Sequence, residues 1–339
     1  WPNLGRYRIW TLAAAIFGGL EVMLEVLIPM LMSVIVDGGL YREQDFMLRE
    51  LFPEALIANR DRFVLTVGII MVIVACCSMA CGILSARCSA VASQGFAKNL
   101  RANLLGKIQD FSFANTDHFT TSSLITRATT DVNTVRNTMQ QFLRTLIRSP
   151  FMVLMATVMA FTISPHLAVI FLISIPFLAG VLAILMKIGQ PRFRKMLQKM
   201  DSMNRAVQEN LISSRVVKAY VREDHETQKF HTANDNVYRL FVKAETVLAL
   251  NSPVMQFTMY MCILAISWLG AHMIAAQSLT TGQLMSLFTY VMNILMSLMM
   301  LSMIFVMVTM ARASADRIAE VLEEKAEREE MAGESFNRL

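Results

Sequence analysis

Apolar residues fill six stretches of the chain: Ile9–Val36, Phe63–Ala86, Leu146–Ile163, Leu167–Met186, Val247–Ala276 and Leu284–Met310. Each is close to or above the roughly 20 residues that cross a bilayer as a helix. Between them the periodicity often persists. From Ser85 to Gln109 no proline occurs, and Val91, Phe96, Leu100, Leu104 and Ile108 recur at near-helical spacing. The second span is therefore predicted to continue as one helix, about 25 residues and some 35 Å beyond the membrane. The fourth span continues likewise through Lys187–Asn210, with Met196, Leu197, Met200, Met203 and Val207 as its stripe, while Asp131–Arg148 and Asn236–Thr246 lead back. The expected fold is all-α: a polytopic membrane protein whose six transmembrane helices carry long cytoplasmic extensions forming two intracellular hairpins. The hairpins turn at Phe111–Ser123 and within Glu209–Phe230.

Composition supports this reading. With 55% hydrophobic and 17% charged residues and a mean hydropathy of +0.48, the 339-residue chain is too apolar for a soluble domain. Only 14 glycines and 8 prolines leave room for long helices. Charge then orients the spans. The link Arg87–Arg148 holds eight Lys/Arg against three Asp/Glu and Lys187–Glu245 twelve against seven, whereas Asp37–Arg62 holds four against six. The positive-inside rule places both long links and both termini in the cytoplasm, so a multi-pass protein of the cell membrane is expected. The first apolar stretch exceeds a signal-peptide core and is expected to stay as a span. Because the sequence opens at Trp1, a short N-terminal piece is expected to precede it. Gln44–Ala58 is patterned as a short interfacial helix capping the outer mouth.

Cys76, Cys77, Cys81, Cys88 and Cys262 lie in or beside apolar segments and read as small packing residues. His118, His166, His225, His231 and His272 are scattered, and no metal-type spacing occurs. No nucleic-acid partner is expected. After the sixth span, Ala311–Glu330 is a charged, helix-prone tail in which Ile318 and Leu322 point to a helix heading towards another domain. Residues 1–320 are thus expected to form the membrane domain and 321–339 the start of a linker.

Three stretches carry a resemblance: DHFTTSSLITRATTDVNTV (Asp117–Val135), ENLISSRVVKAYVREDHETQKF (Glu209–Phe230) and RASADRIAEVLEE (Arg312–Glu324). With six spans and two hairpins, the chain resembles over almost its whole length the transmembrane domain of ATP-binding-cassette exporters of the multidrug and lipid export type. Within that family it is similar to half-transporters that work in non-identical pairs. Ser122, Leu124, Arg127 and Asp131 match the family's Gly-x-Leu-x-x-Arg-x-x-x-Asp, with serine in place of glycine. Glu209, Val217, Lys218, Ala219, Tyr220 and Glu223 match the pattern of its second coupling helix, with Ser213 where glycine is common. The resemblance implies coupling helices that insert into nucleotide-binding domains, here Ala114, Asn115, Thr116, Asp117, His118 and Phe119, and Arg215, Val216, Val217, Lys218, Ala219, Tyr220, Val221 and Arg222. Phe119 and Tyr220 are expected to be apolar knobs, with Arg215, Lys218 and Arg222 as charged positioning groups. No Gly-x-x-x-x-Gly-Lys-Ser/Thr loop occurs in the sequence. ATP and Mg are therefore expected on nucleotide-binding domains supplied in cis or in trans. A second transmembrane half, identical or homologous, is the other implied partner, besides membrane lipid.

Candidate cargo contacts follow from the spans. Met292, Met296, Met299, Met303, Met307 and Met310 step by four, three, four, four and three residues, so their thioethers share one helical face. Such a face suits an undiscriminating apolar cargo (a small molecule, lipid or peptide), although ordinary helix packing accounts for it equally well. Asn293 and Ser297 lie offset from it. Glu21 and Glu25, one turn apart, are intramembrane carboxylates and so candidates for contact with cationic cargo or a proton, or for pairing with a cation on a neighbouring span. Arg144 and Arg148 read as snorkelling towards lipid phosphates. Pro29, Pro150, Pro176 and Pro253 lie in or at the edges of spans, where they can kink helices. The competing readings are an ion-gradient-driven secondary transporter or channel subunit, which needs broken helices or paired intramembrane charges near the midplane, approached only by Glu21 and Glu25; an intramembrane enzyme, whose clusters the spans lack; and a purely structural half.

Overall fold

The computed structural model describes residues 2–41, 49, 52–57, 59–112, 115 and 119–324. Helix α1 (Arg8–Val34) is prolonged by a π-helical turn at Ile35–Tyr41, and α2 runs unbroken over Arg60–Gln109. Helix α3 (Thr121–Ile163) contains π-helical segments at Arg127–Asp131 and Phe142–Leu146. There follow α4 (Pro165–Ile212), the short α5 (Ser214–Ala219), α6 (Glu223–Ala249), α7 (Asn251–Ala275) and α8 (Thr281–Glu323). Among the described residues six helical runs are long and apolar enough to cross a membrane. At 50 residues, α2 extends about 75 Å, far more than a bilayer needs.

One expected element differs. The fifth span is interrupted at Leu250, where α6 ends and α7 begins. Pro253 explains the break: it has no N–H to give to residue 249, and its ring crowds that carbonyl. It therefore sits in the first turn of a new helix, where the missing donor costs nothing. Of the expected external helix, only the turn Glu54–Ile57 and Phe52, edge-on to Phe63 at 5.5 Å, fall within the described residues together with Arg49 and Pro53.

The chain forms two compact units, one with residues up to 169 and from 265 onward, the other with 170–264. In the first, α1 packs closely on α2 through small residues. Ser85 Oγ donates to the Ala14 carbonyl at 3.0 Å, and Gly18 lies beside the same hydroxyl. Ser89, Ala92 and Ser93 are buried along the line. In a bilayer, where apolar surface gains nothing by leaving lipid, such close approach and interhelical hydrogen bonds do the work of association. Helix α8 packs on α1 in the same way: Tyr290 Oη donates to the Val26 carbonyl at 2.9 Å and Ser286 Oγ to that of Pro29 at 2.6 Å. Of the five cysteines, only Cys88 and Cys262 pack in the interior; Cys76 and Cys77 are exposed, which corrects the packing role expected for them.

In the second unit α4 pairs with α6 and α7. Gly189 lies against Val247, and Phe171, Leu178, Leu182, Met196, Ala244, Met255 and Cys262 are buried. The expected stripe on α4 packs only in part: Met196 is buried, Met203 and Val207 are half-buried, and Leu197 and Met200 are exposed. A hairpin of long helices covers one strip of each helix, and this stripe is wider than the strip.

Where α8 begins, at the short-loop end of the first unit, the fully buried Asp37 holds its N-terminus. Its carboxylate accepts from Thr280 Oγ1 and from the Gly282 amide, both at 2.7 Å, and from Ser33 Oγ at 3.3 Å. Thr280 and Gln283 complete a capping box on the same turn. Gly282 has no room for a side chain: a Cβ would lie 2.6 Å from the Ser33 carbonyl and 2.7 Å from both carboxylate oxygens. We predict that Asp37→Ala costs about 1–3 kcal/mol, because buried donors lose their acceptor. Gly282→Ala should destabilise by the steric route. Both are read as a lower thermal unfolding midpoint in nanodiscs, and an unchanged midpoint in both variants would refute the role given to this cap.

Candidate functional site

At the hairpin end of the first unit, an apolar cluster joins three helices. Ala97, Leu100 and Leu104 of α2 meet Leu124 and Val132 of α3, Phe119, and Ile318 and Val321 of α8. Phe96, Ile108, Phe111, Val135 and Leu322 flank it. The predicted stripe of α2 thus faces a packed core. Phe119 belongs to that core: it is 4% exposed, stacks on Phe111 at 5.7 Å and lies under the Arg127 guanidinium at 4.9 Å. The expectation of an exposed knob is corrected, because an aromatic ring between two apolar helices gains more by burial than at a solvated tip. Ile318 and Leu322, expected to head towards another domain, pack back onto the same hairpin. Ala114, Thr116, Asp117 and His118 lie outside the described residues, and Asn115 reaches Glu324 Oε1 at 3.4 Å.

Charges close over this cluster. Arg317 of α8 donates from both Nε, at 2.9 Å, and Nη2 to the buried Asp131 carboxylate, a two-pronged contact. Arg127 bridges Glu320 at 2.7 Å and donates to the Arg317 carbonyl at 2.8 Å. The motif residues Arg127 and Asp131, four apart, thus meet Arg317 and Glu320, three apart, with opposite charges facing. The Arg317 guanidinium holds the Asp131 carboxyl below the usual carboxylate range, outweighing the opposing effect of burial. Arg101 adds a bond to Asn133 at 2.7 Å.

The tip of the second hairpin is built differently. Helix α5 stands between α4 and α6, with only Ser214 and Val217 half-buried, in a concavity of about 430 Å³ that Asn210, Leu211 and Phe230 also line. Asn210 Nδ2 donates to Glu226 Oε2 at 3.1 Å and closes the stem. Arg215, Val216, Lys218, Ala219 and Arg222 are exposed, Tyr220 is 74% and Val221 83% exposed. Val221 has φ +49, a conformation a β-branched residue adopts at a cost of roughly 1–3 kcal/mol. Ser213, where glycine was noted as common, has φ −89, so serine is tolerated without strain.

Within the spans, Arg148 of α3 bonds Glu25 at 2.6 Å and lies 3.7 Å from Glu21, both on α1. Arg148 therefore faces protein carboxylates, which corrects its assignment to lipid phosphates. Leaving any of these charges alone in hydrocarbon is costly, so pairing comes first. On α8, Met292, Met296 and Met303 are exposed, Met299, Met307, Asn293 and Ser297 half-buried, and Ile294, Leu295 and Leu298 face inward. The Met310 side chain lies outside the described ones.

A family model described as the ABC transporter transmembrane region matches residues 11–299. The chain belongs to that family. Its curated relatives include YfiB of Bacillus subtilis, an uncharacterized ABC transporter ATP-binding protein 33% identical over 91% of this chain and 52% of its own length. Another is an uncharacterized ABC transporter ATP-binding protein of Mycobacterium tuberculosis, MT1311, 29% identical over 80% of this chain and 47% of its own. An ATP-dependent lipid A-core flippase of Syntrophus aciditrophicus is 24% identical over 76% of this chain and 43% of its own. The chain spans about half the length of these relatives.

As an ABC transporter transmembrane region, the chain ties its first hairpin to the end of α8 through residues that sequence reasoning left unassigned. Arg317 and Glu320 stood inside a recognised stretch, and their cation-then-acid order repeats that of Arg127 and Asp131, so opposite charges face only when the two helices run antiparallel. A carboxyl with a depressed pKa stabilises the fold above its ordinary range, near 4, and loses that contribution as the pH falls through its folded value. We predict that Asp131→Asn lowers the unfolding midpoint near pH 7, and that the gap to wild type narrows below about pH 4. A double-mutant cycle of Asp131→Asn with Arg317→Gln should give a coupling of roughly 0.5–3 kcal/mol; strict additivity would dissolve the pair.

Proposed function

We propose that this chain is the membrane half of an ATP-driven exporter, moving amphipathic or hydrophobic compounds out of the cytoplasm by alternating access. The observation that carries the reading is the second hairpin. Its stem runs about 39 Å from Met186 to Ile212 and ends in an exposed aromatic and basic tip. A rigid arm of that length turns a small rotation at its tip into a large displacement at the membrane. Arg215–Arg222 would seat in a groove on a nucleotide-binding domain, with Tyr220 as the apolar anchor and Arg215, Lys218 and Arg222 fixing its register. Ala114–Phe119 would form the first contact, with Phe119 as its buried base. ATP and Mg would sit on those domains, in cis or in trans, which accords with the names of the curated relatives. A second half, identical or homologous, would complete the translocation path, in the cell membrane and with both termini cytoplasmic.

The cargo reading rests on α8. The exposed thioethers of Met292, Met296 and Met303 are polarizable and flexible, and with Met299 and Asn293 beside them they suit apolar or amphipathic molecules of varied shape. One relative's name, that of a lipid A-core flippase, points to lipid as one such class. Glu21 and Glu25 share one guanidinium, so the cluster retains one net negative charge and would favour cationic over anionic amphiphiles. The pairing of Glu21 and Glu25 with Arg148 is also compatible with an ion-gradient-driven transporter, but membership of the ABC transporter family supports the ATP-driven reading over it.

Tyr220→Ala in the complete transporter should leave ATP hydrolysis largely intact and reduce transport at least about tenfold, since truncating an aromatic hot spot of an interface costs about 2 kcal/mol or more. Normal transport at normal expression would sink the coupling assignment. Glu21→Gln with Glu25→Gln should weaken export of cationic dyes more than of neutral ones; equal effects on both would limit the carboxylates to holding Arg148.

A further inference from the structure

Where α4 leaves its apolar span, five cations follow one another: Lys187, Arg192, Arg194, Lys195 and Lys199, with no acidic residue before Asp201. These 13 residues carry as much net positive charge as the whole chain, whose formal balance is +5. All five side chains are exposed, and no ion pair is formed by them among the described residues. Outside the spans Arg127, Lys229 and Arg317 each meet a carboxylate of the protein, whereas no cation of this run does. A run left unanswered by the protein calls for an anion from outside it.

Geometry says which anion. At 1.5 Å per residue, Leu167–Met186 spans about 30 Å, the hydrocarbon thickness of a bilayer. Lys187 therefore lies at its edge, and Arg192, Arg194 and Lys195 stand about 8–12 Å further out along the helix. The headgroup layer and one Debye length cover that distance, and long side chains reach back towards the phosphates. At about 100° per residue the five cations fall within roughly 160° of the helix circumference. The buried Gly189 and Met196 and the half-buried Phe193 occupy the other side, and Gly189 faces Val247 of α6. The basic face is thus turned away from the hairpin's own packing.

We propose that this face is a docking surface for anionic phospholipid headgroups of the leaflet from which the hairpins project. Each cation near an anionic surface favours it about fivefold. The surface lies on the stem of the arm assigned to coupling, so lipid charge would set how firmly that stem is held. The proposal is independent of the cargo.

The test uses the complete transporter in nanodiscs of phosphatidylcholine with increasing phosphatidylglycerol. Spin-labelled phosphatidylglycerol and phosphatidylcholine report the selectivity of lipid in contact with the protein. Wild type should prefer phosphatidylglycerol, and the preference should fall in high salt. Lys187→Gln, Arg192→Gln, Arg194→Gln and Lys195→Gln combined should reduce it by at least about tenfold. A charge-keeping set, Lys187→Arg, Arg192→Lys, Arg194→Lys and Lys195→Arg, should retain it, as should Arg205→Gln, about 27 Å along the helix from Lys187. Should the fourfold neutral variant fail to fold, the pair Arg192→Gln and Arg194→Gln should give a partial loss. Undiminished preference in the neutral variants overturns the proposal. So does displacement of the labelled lipid by millimolar inorganic phosphate, which would make the face a site for soluble anions.

Discussion

The contact between Asp131 and Arg317 joins segments that are 186 residues apart, and the working end of the first unit depends on it. Beneath it lies an apolar cluster drawn from α2, α3, α8 and Phe119; above it Arg127 completes a four-charge joint with Glu320. Neither layer suffices by itself. Exposed ion pairs contribute little, and an apolar cluster sets which face of a helix is buried but discriminates weakly among shifts along its axis. Together they give α8 one register against the hairpin. The C-terminal end of α8 is therefore anchored to the first hairpin.

Charge inside the spans obeys the same economy. Glu21 and Glu25 meet Arg148, and Asp37 meets the first turn of α8. In hydrocarbon no water can take the place of a missing partner, so each such group has to find one within the protein. These pairings bind α1 to α3 and to α8, the helices that form the packed unit. A carboxylate first read as cargo-facing is thus also part of the framework, and its substitution has both consequences.

The two units differ in what they leave uncovered. The first buries its hairpin end under apolar and charged layers. The second leaves much of α4, α5 and α6 open, with Leu211, Ile212, Val216, Tyr220 and Val221 exposed near its tip. Solvated apolar side chains at the end of a long stem are expensive unless a partner covers them. The strained Val221 at the same place fits a segment shaped for docking and not for its own stability.

The amino-acid pattern alone determined the six spans, the helices that outrun the membrane and the family, because these rest on length, periodicity and local motifs. The stripe Phe96, Leu100, Leu104, Ile108 packs as read, and the broken fifth span was legible in Pro253, read as a site where a helix can kink. Only the tertiary structure decided partnerships. Phe119 turned inward, Arg148 turned to Glu25 and Glu21, and Asp131 found Arg317, each through contacts between residues far apart in the chain. Periodicity tells which side of a helix is apolar, but which neighbour meets it depends on how helices cross. A charge four residues from another reveals a shared face; the answering charge lies on a helix that sequence spacing cannot locate.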